Sequence, residues 1–123
     1  MTKGQLEAKI SEAISKFEVE YMGRGPKSIR THIVNDMIIV RQLGFLSPAE
    51  QKLTADTHGV VLFKKMRTSL FEGGREYLET LIEDIIDVAV ISTHSDISTK
   101  TGEKVIIITT ESNLEELISK NKI

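Results

Sequence analysis

Cysteine is absent from this 123-residue chain. That excludes a disulfide scaffold, a thiol nucleophile and any zinc or iron–sulfur centre held by thiolates. No apolar run reaches the roughly 18 residues that a spanning helix needs, so none is expected to cross a membrane. The opening Met1-Thr2-Lys3-Gly4-Gln5 leads into a charged helical pattern, unlike the apolar core of a signal peptide. The sequence lacks a nucleotide P-loop spacing, a G-x-S-x-G elbow and an H-E-x-x-H pair. No pair of carboxylates is marked as buried or close, so no catalytic residue and no cofactor is assigned, and the expectation is a non-enzyme.

At 40% hydrophobic residues the chain has the apolar material for one buried core, and at 13.8 kDa the length of one domain spanning 1–123. The formal net charge of −2 conceals an asymmetry: residues 1–75 hold 12 Lys/Arg against 8 Asp/Glu, and residues 76–123 hold 4 against 10. The two halves can satisfy each other within one fold or across a homodimer. A pI near 5.9 argues against nucleic-acid binding, which favours a basic domain.

Residues 2–22 read as a helix. Leu6, Ile10, Ala13, Ile14, Phe17 and Tyr21 make one apolar stripe, and Thr2 with Gln5 has the capping-box spacing. Gly23 to Pro26 stop it. Residues 28–43 predict a hairpin turning at Asn35-Asp36, both tolerant of positive φ. That register sets Arg30 opposite Arg41 and puts Arg30, His32 and Arg41 on one face, with Ile29, Thr31, Ile33, Ile38 and Val40 on the core face. Ser47-Pro48-Ala49-Glu50 predicts a capped helix start. That helix is expected to run to about Phe71, break or kink at Gly73-Gly74, and resume over Arg75–Ile86. Residues 88–93 and 104–110 predict a second hairpin, and Ser112-Asn113-Leu114-Glu115 a capping box for a short last helix to about Lys120. The expected fold is α+β: two β-hairpins forming a four-stranded antiparallel sheet, with an N-terminal helix, a long kinked central helix and a short C-terminal helix, in the order α-β-β-α-α-β-β-α.

Four surfaces carry candidate chemistry. The loop Gly23-Arg24-Gly25-Pro26-Lys27 exposes backbone N–H groups beside Arg24 and Lys27; it is an anion or docking site, or a stiff helix stop. Arg30, His32 and Arg41 share one sheet face, with Arg30 and Arg41 as like charges directly opposite each other. They need an anionic ligand, a partner's carboxylate or, as favoured here, the acidic stripe Glu76/Glu79/Glu83. The segment from Asp96 through Ser98, Thr99 and Thr101 to Glu103 is rich in oxygen ligands, which serves a binding loop or only the turns of a hairpin tip. Val60–Phe71 mixes apolar residues with Lys64, Lys65 and Arg67, a pattern that fits a membrane-surface helix or, as favoured here, a core stripe with solvated lysines. His32, His58 and His94 share no metal-ligand spacing, and no metal site is assigned.

Taken together, Gly23-Arg24-Gly25-Pro26, the hairpin Ile33-Val34-Asn35-Asp36-Met37-Ile38, the helix start Leu46-Ser47-Pro48-Ala49-Glu50 and the stretch Thr93–Glu103 resemble the MpsC family of small bacterial proteins, over roughly residues 2–111. The family is named for a sodium-translocating, membrane-potential-generating system. The resemblance implies an accessory or regulatory role by protein–protein interaction, beside integral-membrane subunits of a cation or inorganic-carbon transport complex. The expected location is cytoplasmic, peripheral at the inner face of the membrane. The rival expectation is a module that binds a small anion or phosphometabolite, through Arg24, Lys27, Arg30, His32 and Arg41.

Overall fold

The structure, a computed structural model, describes residues 1–123. Helix α1 (Lys3–Glu20) opens on the expected capping box, with Thr2 and Gln5 bonding reciprocally. Strands β1 (Ser28–Val34) and β2 (Met37–Leu43) form the first hairpin, with Asn35 at φ 57° in the turn. Helix α2 (Pro48–Leu53) is followed by α3 (Thr57–Ile86), then β3 (Val90–Ile97), β4 (Lys104–Thr110) and α4 (Leu114–Ser119). The four strands make one antiparallel sheet in the order β1-β2-β4-β3.

The first hairpin has the expected register: Val34 faces Met37, His32 faces Ile39 and Arg30 faces Arg41. Continued across the sheet, it makes rows. Ile33, Ile38, Ile108 and Thr93 align on the inner face, as do Ile29, Gln42, Lys104 and Ile97. α1 lies over β1 and α3 over β3, and the core closes between them through Leu6, Ile10, Ile14, Phe17, Leu78 and Ile82. A small satellite of Phe45, Phe63 and Ile97 sits under the start of α3. The outer face carries no helix. Its rows are Arg30, Arg41, Val105 and Asp96, then His32, Ile39, Ile107 and His94.

The break in the central helix lies elsewhere than expected. α3 runs unbroken through Gly73 and Gly74, and the chain turns instead at Thr54–Asp56. Asp56 caps α3 by accepting from the Gly59 amide, and α2 abuts α3 so closely that a Cβ on Gly59 would lie 1.6 Å from the Leu53 carbonyl oxygen. Gly73 and Gly74 let the Tyr21 ring at the end of α1 rest on α3: a Cβ on Gly74 would lie 2.4 Å from Tyr21 Cε1. Glycine's lower helix propensity, about 1 kcal/mol against alanine, is overridden inside a long packed helix. Two smaller shifts accompany this. β3 extends to Ile97, four residues further than expected, and Asn113 rather than Ser112 caps α4.

Candidate functional site

α1, β4 and α3 meet at a buried charge pair. Lys104 Nζ donates to both carboxylate oxygens of Glu18, at 2.9 Å each, and the two side chains are 4% and 0% exposed. The ammonium also lies 5.2 Å from the Phe45 ring centroid and 5.3 Å from that of Phe71, a cation–π contact on each side. Burial pushes the Lys104 pKa below its ordinary value; Glu18 opposes that, and the nearby Arg67 adds to it. Across the β2–β4 ladder from Lys104 stands Gln42, fully buried, with neither amide atom hydrogen-bonded.

Beside this seam a cavity of about 270 Å³ opens between α3 and the edge strand β3. From α3 it takes Lys64, Arg67 and Arg75; Lys104 closes it from β4; Ser92, Thr93, His94 and Ser95 of β3 form its far wall. Lys64 reaches Asp96 at 3.4 Å and Arg75 reaches Glu72 at 3.1 Å. Arg67 is in no ion pair: its guanidinium carbon sits 5.6 Å from the Phe45 centroid, and its Nη2 is shut off from solvent with no hydrogen-bond partner.

Of the residues named from the sequence, Lys64, Arg67, His94 and Asp96 line this cavity, whereas the anion and docking candidates Arg24, Lys27, Arg30, His32 and Arg41 lie elsewhere. Arg24 turns to α2, where its Nη2 donates to Glu50. Lys27 lays its stem against Gly44 and donates its backbone N–H to the Leu43 carbonyl. Arg30, His32 and Arg41 do share the uncovered sheet face, as their register predicts. Their charge is balanced differently from the expectation. Glu103, not the acidic stripe of α3, holds Arg41, at 2.7 Å. The stripe lies over the inner face, where Glu79 accepts from the Thr93 hydroxyl and Glu83 from the Val90 amide. Ser98 and Thr101 accept from backbone amides of the β3–β4 turn, the hairpin-tip geometry; Thr99 sits in that turn and Glu103 at its end. His32 and His94 stand at opposite edges of the uncovered face, and His58 at the start of α3. The amphipathic stretch of α3 divides: Phe63 and Phe71 are core, while Val61, Leu62, Met66 and Leu70 face outward.

Sequence reasoning missed Arg67 as a site residue, and it missed the Glu18–Lys104 pair. The one local signal was the unbroken polar run from Ser92 to Asp96, all of which lines the cavity.

Glu50 gives a pH prediction. Partial burial pushes its carboxyl up, but the Ser47 backbone N–H, the Ser47 hydroxyl and Arg24 together hold it below the ordinary 4.5. A depressed folded-state pKa stabilises above the unfolded value, and that contribution is lost as pH falls through the folded one. Glu50→Gln keeps the capping box and removes the charge. It should cost about 0.5–1 kcal/mol at neutral pH and nothing once the pH is below the folded-state pKa, where the Glu50 carboxyl is protonated in the folded and the unfolded chain alike. Urea denaturation of both proteins at the two pH values checks this; an equal gap at both would assign the effect to packing.

A family described as "Na+-translocating membrane potential-generating system (MpsC)" matches residues 2–112. A protein of Bacillus subtilis (strain 168), printed as "Uncharacterized protein YbcI", is 39% identical over 119 residues, covering 97% of this chain and 96% of that protein. No solved structure matches.

Proposed function

This chain belongs to the MpsC family, and we propose that it serves as an accessory or regulatory subunit of a membrane-potential-generating transport system, acting by protein contact rather than catalysis. No helix is long and apolar enough to cross a membrane, so in this reading the translocation pathway belongs to other subunits. The observation that carries the reading is the uncovered sheet face. Ile39 and Ile107 occupy its centre, Met37 and Val105 stand beside them, and Arg30 and Arg41, with His32, form its polar, basic rim. An apolar centre with a charged rim is the anatomy of a protein interface. Its occupant is an integral-membrane subunit of the same system, presenting an apolar strip with acidic flanks at the inner face of the membrane.

A second copy of the chain takes the outer face of α3. Leu62, Met66 and Leu70 recur at every fourth residue and are 47%, 43% and 40% exposed.

Affinity purification from gently solubilised cells tests both parts. Tagged protein is expected to return a polytopic subunit and an untagged copy of the chain. Ile107→Glu should lower recovery of the subunit about tenfold or more and leave the copy in place. Leu70→Glu should do the reverse. Wild-type yield of the subunit with Ile107→Glu would remove the sheet face from the account; recovery of the chain alone would overturn the accessory role.

A further inference from the structure

The cavity at the β3 edge holds more positive charge than the protein neutralises. Each of its other full cations has a carboxylate: Glu18 for Lys104, Asp96 for Lys64, Glu72 for Arg75. Arg67 has none, and its Nη2 points neither to solvent nor to an acceptor. A charged donor left without an acceptor is costly unless something supplies the oxygen. Two further features aim the wall at an oxyanion. β3 is an edge strand, so the backbone groups along its outer side have no strand neighbour. Ser95 is on the same wall and brings a hydroxyl group to it. The rings of Phe45 and Phe71 back the cationic corner, and that low-dielectric surface strengthens any charge pairing made there. Arg67 also helps to lower the Lys104 pKa, as an unneutralised neighbouring cation does, and an anion beside it would relieve that repulsion.

We propose that this cavity binds a small organic anion through a carboxylate or phosphoryl group, with Arg67 as the principal ligand and the edge of β3 as the second wall. The volume of about 270 Å³ admits a metabolite of a few carbons and excludes a folded partner. The site meets the uncovered sheet face only at the β3 edge, through His94 and Asp96, and Arg67 is no part of the face on which the accessory reading rests, so either can fail alone.

Amide chemical shifts report it directly. The folded protein is titrated at constant ionic strength with inorganic phosphate and, separately, with succinate. The two arms distinguish a phosphoryl from a carboxylate preference. At least one probe is expected to give saturable shifts centred on Arg67, Thr68 and Ser92–Ser95. Arg67→Gln should weaken that probe about tenfold or more, the loss that accompanies one charge-assisted hydrogen bond. Arg67→Lys keeps the charge and loses the planar fork, so it should weaken it as well. It also serves if Arg67→Gln fails to fold. Lys9→Gln, which removes an exposed cation of α1 outside the cavity lining, should change nothing. Linear, unsaturated shifts with both probes would overturn the site. So would a saturable response that Arg67→Gln and Arg67→Lys leave intact, or one that maps to Arg30 and Arg41.

Discussion

Lys104→Ala is expected to destabilise the protein by about 3–5 kcal/mol, because it strands the Glu18 carboxylate in the core without its partner. Folding stabilities lie at roughly 5–15 kcal/mol, so the variant should stand near the limit of remaining folded. The cost does not measure a strong attraction. Removing both ions from water is itself expensive, and their mutual attraction barely offsets that. The double variant Glu18→Leu with Lys104→Met tests this distinction. It removes both charges and keeps most of the volume between Phe45 and Phe71. It should recover the larger part of the loss and end within about 1–2 kcal/mol of the wild type. Urea denaturation of the four proteins in the cycle supplies the numbers. A single-variant cost below about 1 kcal/mol would mean that water reaches Glu18, against its complete burial. The pair's structural role follows from its position. Glu18 lies on α1 and Lys104 on β4, so the contact ties the end of the first helix to the sheet beside the Arg67 cavity.

What could be read in advance was local, and what could not was made by distant contacts. The first hairpin was legible to the exact pairing because Asn35-Asp36 marks the turn and the alternation on either side permits one register. The same alternation placed Arg30, His32 and Arg41 on one face. It said nothing of Glu103, 62 residues beyond Arg41, which holds that side chain. Gly73-Gly74 signalled a helix break by propensity; Tyr21, far away in the chain, turns the same pair into a contact surface. The end of β3 was hidden because Ser92, His94 and Asp96 face outward on an edge strand, and Thr93 and Ser95 face inward while themselves polar. The buried pair spans 86 residues, and neither partner differs in type from a solvated surface charge. Arg67 belongs with these: in the helical pattern it reads as one more basic residue, and only the approach of β3 and Phe45 leaves it enclosed without an acceptor.

Phe17→Ala should cost about 3–5 kcal/mol, the second large effect, and the loss should be concentrated at one end of α1. Phe17 is fully buried and is the hub of the aromatic contacts between α1 and α3. Its ring stacks on Tyr21 at 5.4 Å, meets Phe71 edge-on at 6.5 Å and lies 6.0 Å from Tyr77. Such pairs add about 0.5–1.5 kcal/mol each beyond the area they bury. The glycine step at 73–74 lets Tyr21 settle against α3, so the stack and the step act together. Truncating Phe17 removes the underside of that stack. The first turns of α1 keep their own anchors, since Leu6, Ile10 and Ile14 pack on the sheet side of the core. Amide exchange should therefore accelerate most from Phe17 to Arg24, including the amides of Tyr21, Met22 and Arg24 that close the helix end. Tyr77→Ala, at the half-exposed rim of the same cluster, should cost less than about 1 kcal/mol. Uniform acceleration along the whole of α1 would show that the helix docks as one unit. Equal costs for the Phe17 and Tyr77 variants would deny Phe17 its place as the hub.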